Sequence, residues 1–124
     1  MKVVSTSNAP AAIGPYSQAI DLGNMVFVSG QIPVDPATGI WPIRLKSRLH
    51  RALQTSRPFW PRLAFPWQMW SRLSFFLADI NDFAAVNAVY AKAFAEPFPA
   101  RSCVQVAAIP KGAKLEIECI AVRE

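Results

Sequence analysis

Two residues in the C-terminal part of the chain, Arg101 and Glu116, have side chains that could bind a carboxylate and activate a water molecule. A guanidinium can bind a carboxylate through two parallel hydrogen bonds, which fixes its orientation as well as its charge. A carboxylate within hydrogen-bond reach of water can orient that water or accept its proton. Taken alone, the residue types favour an ordinary surface arginine at the start of a strand, and Glu116 could be a solvated residue on an edge strand.

The pattern around Glu116 predicts the strand that carries it. Apolar residues occupy alternate positions of segment 114–122, at Leu115, Ile117, Cys119 and Ala121. Because successive side chains of a strand point to opposite faces, one face is apolar and the other can carry a carboxylate. Glu118 has the same parity as Glu116, so spacing alone does not choose between them.

The N-terminal part reads as short strands and turns. Met25–Ser29 is rich in β-forming residues, and Ser17–Leu22 can pair with it through the Gly23-Asn24 turn. Gly30 follows directly, where the lack of a side chain would let a ligand approach the backbone closely.

A helix and two strands are predicted in the C-terminal part. The helix runs from an Asn81 or Asp82 cap to about Phe94, and prolines follow it. Its apolar residues recur at three- and four-residue spacing, at Phe83, Val86, Val89, Tyr90 and Phe94. Ser102–Ile109 and Lys114–Val122 read as strands joined by a turn at residues 110–112.

The chain offers no recognisable metal or disulfide framework. Its two cysteines, Cys103 and Cys119, and its one histidine match no ligand pattern. Both cysteines are interpreted as small apolar core residues. No metal and no cofactor are predicted.

Length and composition predict one domain spanning residues 1–124, with one hydrophobic core. No apolar run could cross a bilayer, and the N-terminus lacks a secretory signal pattern. The cytoplasm is therefore the expected compartment, and no membrane partner is expected.

The segment from about residue 41 to 75 differs from the rest of the chain. It holds all four tryptophans, the histidine and seven of the 13 lysines and arginines, but no acidic residue. Outside it, six lysines and arginines face eight acidic residues, so the net charge of +5 belongs to this segment. Leu45, Leu49 and Leu53 have helical spacing, but prolines at 58, 61 and 66 forbid one continuous helix. Residues 71–78 could form a strand.

The flanking parts resemble the reactive-intermediate deaminase family, the RidA or YjgF group. The matching stretches are Asn8–Ala19 (NAPAAIGPYSQA), Asp21–Met25 (DLGNM), Val28–Pro33 (VSGQIP), Phe76–Tyr90 (FLADINDFAAVNAVY), Pro99–Val104 (PARSCV) and Lys114–Glu118 (KLEIE). The resemblance implies an α+β, chorismate-mutase-like fold. That fold has a mostly antiparallel sheet with two helices packed on one face, and it assembles as a homotrimer with sites between subunits.

The same resemblance implies an activity and a set of site residues. The activity is hydrolysis of enamine or imine intermediates, such as 2-aminoacrylate, to a 2-oxo acid and ammonia. Arg101 matches the substrate-binding arginine, Glu116 the acidic residue that positions or activates water, and Tyr16 a tyrosine near the substrate. Further binding residues are Asn87, Gly30 and Cys103, the last through its backbone. The loop at residues 95–98 is shorter than usual for the family, which affects the rim of the site.

The unusual segment has the length that the family requires but not its residues, which predicts a reading-frame shift between two compensating indels. In the shifted frame, each new codon combines the third base of one codon with the first two bases of the next. Trp60-Pro61 and Trp67-Gln68 must then each give alanine, and Met69-Trp70 must give valine. The remaining codons from Thr55 to Phe76 can encode a helix end, a glycine stop and a β-branched strand. If the protein is made with residues 41–75 as written, we expect it to fold poorly.

Two other functions remain open. The chain could be a non-catalytic family member that binds small carboxylates or regulates a partner. It could also bind RNA or act as a translation-inhibiting ribonuclease through the basic, tryptophan-rich segment. A shifted frame would remove that segment, so nucleic-acid binding is the less favoured of the two.

Overall fold

The structure, a computed structural model, describes residues 1–42, 44–56 and 70–122. Its strands are β1 (Lys2–Val4), β2 (Ala19–Asp21), β3 (Met25–Gln31), β4 (Trp70–Leu77), β5 (Ala100–Gln105) and β6 (Leu115–Val122). Its helices are α1 (Leu45–Ser56) and α2 (Phe83–Ala93), with short 3-10 turns at Ile80–Asp82 and Pro110–Gly112.

The strands form one sheet in the order β1-β2-β3-β6-β4-β5. The pairings are antiparallel except that of β4 with β5, which is parallel, so the sheet is mixed. The predicted hairpin is confirmed, since Ala19 pairs with Val28 and Gly23 takes the positive φ of 98° that the turn requires. β5 and β6 are joined by the predicted turn, but β4 lies between them in the sheet.

β6 is an interior strand whose alternation follows the sequence. Its buried positions are Leu115, Ile117, Cys119 and Ala121, and Glu116 and Glu118 lie on the opposite face. The interpretation of Glu116 as a solvated residue on an edge strand is therefore wrong, because β3 and β4 pair with β6 on either side.

Helix α2 begins at Phe83, directly after Asp82, so the predicted cap position at Asp82 is confirmed, although the capping hydrogen bond comes from another residue. The carboxylate of Asp79, not Asn81 or Asp82, accepts a hydrogen bond from the backbone N–H of Asn81, 2.9 Å away, and so caps a 3-10 turn that leads into α2. Asp82 precedes the helix but makes no capping hydrogen bond with its side chain. Strand β5 is also shorter than predicted, ending at Gln105 rather than at Ile109.

The core lies between the two helices and one face of the sheet. From α1 it contains Leu49, Ala52 and Leu53, so the helical spacing read there is confirmed. From α2 it contains Val86, Val89 and Tyr90. Burial of these apolar faces is the main force that orders the domain. The predicted α+β fold with two helices is confirmed.

Two further findings concern the unusual segment and the membrane. Strand β4 begins at Trp70, close to the predicted start at residue 71, and Trp70 is buried. Pro58, Pro61 and Pro66, together with Trp60 and Trp67, lie outside the described residues. In the described part of the chain, no helix is both long and apolar enough to cross a membrane.

Candidate active site

Strand β5 and helix α2 together hold Arg101. Arg101 pairs with Leu73 of β4, which is fully buried, so its side chain starts on the helix-covered face of the sheet. There its Nη1 donates a hydrogen bond to Oδ1 of Asn87 at 2.6 Å. No acidic group in residues 1–42, 44–56 or 70–122 forms an ion pair with Arg101. The guanidinium is thus a fixed cation without a carboxylate partner in the described chain.

Three aromatic rings surround the same guanidinium. Its Cζ lies 4.8 Å from the ring centroid of Tyr90, 5.6 Å from that of Phe83 and 6.0 Å from that of Phe75. Phe83 and Tyr90 belong to α2 and flank Asn87 at intervals of four and three residues. This spacing puts all three side chains on one stripe of the helix. Arg101 therefore lies along that stripe.

Cys103 lies two residues after Arg101 and shares its face of the sheet. It is half-buried and packs against the core. Burial raises the pKa of the Cys103 thiol, and the positive charge of Arg101 opposes this shift only in part. Because a thiol with a raised pKa stays protonated at neutral pH, Cys103 is unsuited to nucleophilic chemistry. Cys119 is buried, as predicted for a core residue.

Glu116 and Gly30 form the centre of a second group of predicted residues. A methyl group at Gly30 would overlap the carboxylate of Glu116, so only glycine leaves room for that carboxylate against β3. Tyr16 lines the same cavity as Gly30 and Glu116, and its side chain is about half exposed. The three line a cavity of about 260 Å³, whose other walls are Ile13, Ile32 and Pro110.

The loop that carries Tyr16 is held by Gln18. The buried Gln18 amide accepts a hydrogen bond from the backbone N–H of Thr6 at 2.8 Å and donates one to the carbonyl of Pro10 at 2.7 Å. A buried amide with both ends satisfied fixes the backbone around it. Gln18, which follows the loop, is thereby bound to the segment that precedes it.

The Glu116 carboxyl is harder to ionise than an ordinary glutamate. Burial raises the pKa of Glu116, and the negative charge of Glu118 on the same face raises it further. Such a shift is typical of carboxyls that exchange protons with a substrate or with water, although it also occurs at structural positions.

The two groups lie on opposite faces of the sheet. Arg101, Leu73 and Cys119 form one cross-strand row, and Val104, Phe76 and Glu116 form another. The rows are three residues apart, an odd number, so their side chains point to opposite faces. Along the strands they are separated by about 10 Å, and β5 and β6 are about 10 Å apart across the sheet.

Comparison with known proteins identifies the family. A family model described as endoribonuclease L-PSP matches residues 6–123. The chain belongs to this family. A family member from Escherichia coli, named 2-iminobutanoate/2-iminopropanoate deaminase, is 47% identical over 98% of both chains. A RutC family protein of Pasteurella multocida is 48% identical over 98% of both.

Solved structures of family members have the same fold. The E. coli YjgF gene product aligns with a TM-score of 0.94 and 46% identity over the full length of both chains. E. coli TdcF with bound serine aligns with a TM-score of 0.94 and 45% identity, also over both full lengths. The resemblance to the RidA or YjgF group is therefore confirmed.

In this family member the predicted site residues fall into two sets. Arg101, Asn87 and Cys103 lie with β5 and α2, and Tyr16, Gly30 and Glu116 lie together on the other face. No metal-binding cluster of three or more histidine, cysteine or acidic residues occurs in the described part of the chain. The aromatic residues beside Arg101 were missed as site residues. For Phe83 and Tyr90 the available signal is their spacing with Asn87 on α2, which by itself indicates only an apolar stripe, whereas Phe75 on β4 offers no such signal.

Proposed function

We propose that this chain hydrolyses small 2-imino and 2-enamino acids, such as 2-aminoacrylate, to 2-oxo acids and ammonia. The observation that carries the proposal is Arg101, a cation held by Asn87 and three rings without a described acidic partner. The substrate carboxylate would supply the missing charge. The deaminase names of relatives about 47% identical over nearly the whole chain support the same activity.

The reaction needs water at one carbon and proton transfers around it. An enamine first takes a proton on its β-carbon and becomes the protonated imine. Water then adds to the C=N carbon and loses one proton, which passes to the nitrogen and makes it an –NH3⁺ leaving group. The C–N bond breaks, ammonia leaves with the electron pair of that bond, and the hydroxyl group loses its remaining proton as the C=O bond forms. Glu116 would accept the proton from water and return it to the departing nitrogen, and Tyr16 would hydrogen-bond the reacting groups.

A small acid cannot contact both Arg101 and Glu116 of one chain, because the two side chains point away from opposite faces of the sheet. We therefore propose that the site forms between copies of the chain in a homotrimer. Each copy would present its Glu116 group to the Arg101 group of the next, and a ring of three such head-to-tail contacts closes.

The sheet face that carries Glu116 favours such contacts, because it exposes large apolar side chains. Phe27 and Val104 lie on the same face as Glu116 and are 41% and 46% exposed. Large apolar side chains grouped on one face are typical of surfaces that another protein covers. A second copy of this chain would bury them and bring its own polar groups to the Glu116 cavity.

The two groups are also electrically complementary. In one chain, burial and Glu118 both raise the pKa of Glu116. A guanidinium from a neighbouring copy would lower it and keep the carboxylate ionised at neutral pH, as a base must be.

Ammonia release from 2-aminoacrylate made in situ tests the proposal. Arg101→Ala should lower kcat/KM by about 10- to 100-fold, because a charged hydrogen-bond partner is lost. Arg101→Lys should recover only part of it, since lysine keeps the charge but not the two-point geometry. Lys92→Ala removes an exposed cation of α2 and serves as the matched control.

Two results would contradict the proposal. Full activity of Arg101→Ala would remove Arg101 from the site. Saturable binding of 2-oxo acids by the wild-type chain without any ammonia release would instead favour a non-catalytic carboxylate-binding protein.

A further inference from the structure

Among the three rings around Arg101, that of Tyr90 is the nearest. Its centroid lies 4.8 Å from the guanidinium carbon, against 5.6 Å and 6.0 Å for Phe83 and Phe75. A guanidinium over an aromatic face is attracted by the negative potential of that face. The attraction strengthens where water is excluded, and Tyr90 is only 7% exposed.

The Tyr90 ring is itself held in place by its neighbours. It meets Phe75 edge to face, with centroids 5.7 Å apart and ring planes at 78°. Its centroid is 4.6 Å from that of Phe94. Rings packed in this way have well-defined orientations. Tyr90 is therefore a rigid support for the arginine above it.

The hydroxyl group of Tyr90 takes no visible part in this arrangement. Its oxygen is buried and has no hydrogen-bond partner among the described residues. A buried hydroxyl without a hydrogen-bond partner destabilises the folded state, so stability alone does not explain why residue 90 is a tyrosine. The part of Tyr90 that contacts Arg101 is the ring.

We propose that Tyr90 is a positioning residue for Arg101, and that its ring sets the affinity of the site for the substrate carboxylate. The inference rests on the proposed function, in which Arg101 binds that carboxylate. Asn87 occupies one N–H of the guanidinium, and the ring limits rotation of its plane. The remaining N–H groups then meet a carboxylate already oriented for two parallel hydrogen bonds.

A positioning role and an ordinary core role of Tyr90 predict different effects of mutation on carboxylate binding. Loss of the ring weakens carboxylate binding because Arg101 must be ordered when the ligand binds. The chemical step at the C=N carbon, which Arg101 does not touch, changes little. A purely structural tyrosine would instead affect stability without affecting carboxylate binding.

The test compares Tyr90→Leu, Tyr90→Phe and Phe94→Leu in the full-length protein. Phe94 is equally buried beside Tyr90, but its ring is not one of the three that lie over the guanidinium of Arg101, so Phe94→Leu matches the loss of an aromatic core side chain. Tyr90→Leu should raise KM, and the directly measured Kd of 2-oxobutanoate, by about 5- to 30-fold. Its kcat should stay within about threefold.

The two other variants separate ring from hydroxyl and site from core. Tyr90→Phe keeps the ring and should leave KM and Kd within about twofold of wild type. Phe94→Leu should lower the melting temperature as Tyr90→Leu does, with KM and Kd within about twofold. Should Tyr90→Leu fail to fold, Phe83→Leu replaces a partly exposed ring and should raise Kd by about two- to fivefold.

The inference is overturned if Tyr90→Leu and Phe94→Leu change Kd equally, or if Kd is unchanged in both Tyr90→Leu and Phe83→Leu. A loss in Tyr90→Phe as large as in Tyr90→Leu would assign the effect to the hydroxyl and would also overturn it. Because the Kd measurement needs no turnover, it separates this inference from the proposed deaminase activity.

Discussion

Glu116 and Arg101 point away from each other, from opposite faces of the same sheet. Val104, Phe76 and Glu116 share a cross-strand row on one face, and Arg101, Leu73 and Cys119 share a row on the other. Each residue has its own surroundings: Glu116 lies against Gly30, and Arg101 lies beside Asn87. One chain therefore carries two separate parts of the proposed site.

Gly30 allows the carboxylate of Glu116 to lie against strand β3. In Gly30→Ala the added methyl group would occupy the position of that carboxylate and push it aside. We expect kcat to fall by about 100-fold, near the lower end of what a general base contributes. The free energy of unfolding should change by less than about 1 kcal/mol, because the end of a glutamate side chain can swing away.

Gly14→Ala is the matched control for this variant. A methyl group at Gly14 would come no closer than ordinary contact distance, 3.8 Å from the ring of Tyr16. Activity of Gly14→Ala should stay within about twofold of wild type. Ammonia release measured beside denaturant unfolding checks both variants, and full activity of Gly30→Ala would refute the placement of Glu116.

The charge of Glu118 should be visible in the pH dependence of the reaction. Glu118 raises the pKa of Glu116, so Glu118→Gln should lower it. The base is active when ionised, and the acid limb of the kcat profile should therefore move to lower pH. An Arg101 from a neighbouring copy acts on the wild-type protein and on Glu118→Gln alike. The difference between their acid limbs therefore reports the charge of Glu118 alone.

Glu96→Gln removes the same charge from an exposed loop position and provides the control for that profile. It should leave the acid limb where it is in the wild-type protein. An acid limb that moves equally in both variants, or moves upward in Glu118→Gln, would argue against Glu116 as the titrating group.

The natural gene should not encode residues 41–75 as printed. We predict that it reads in the shifted frame there, with alanine from the codons of Trp60-Pro61 and of Trp67-Gln68. Sequencing of codons 40–76, or the intact mass of the natural protein, checks this directly. A mass equal to that of the printed chain would refute the frame shift.

The same change of frame should abolish any affinity for nucleic acid. The net charge of +5 comes from this segment, and binding through it would fall steeply with salt concentration. Protein with the restored frame should bind single-stranded RNA no better than a neutral protein does. Salt-sensitive RNA binding that survives the correction would revive the ribonuclease alternative.

Local patterns predicted much of the fold. The alternation in β6 placed Glu116 opposite the apolar face, the turn at Gly23 gave the β2–β3 hairpin, and helical spacing gave α2. These features depend on residues close together in sequence. The side chain that makes the capping hydrogen bond could not be predicted, because Asp79, Asn81 and Asp82 are all capable of capping, and only the geometry shows that Asp79 does so, for the 3-10 turn before α2.

Long-range pairings could not be predicted in the same way. No local pattern puts β6 between β3 and β4, or sets the parallel register that pairs Arg101 with Leu73. That register decides which face Arg101 occupies. The separation of Arg101 from Glu116 and the contact between Arg101 and Tyr90 both follow from it, so neither could be read from the sequence.

Activity of a mixture of Arg101→Ala and Glu116→Gln tests the shared site most directly. Each variant alone should release ammonia at no more than about a tenth of the wild-type rate at substrate concentrations below KM. After they are unfolded together and refolded in equal amounts, contacts between unlike copies would reunite a native Arg101 with a native Glu116. In a ring of three such contacts, one contact in four on average should join a native Arg101 to a native Glu116. About a quarter of the wild-type ammonia release should therefore return. A refolded mixture that assembles but is no more active than the separate variants would contradict a site formed between two copies.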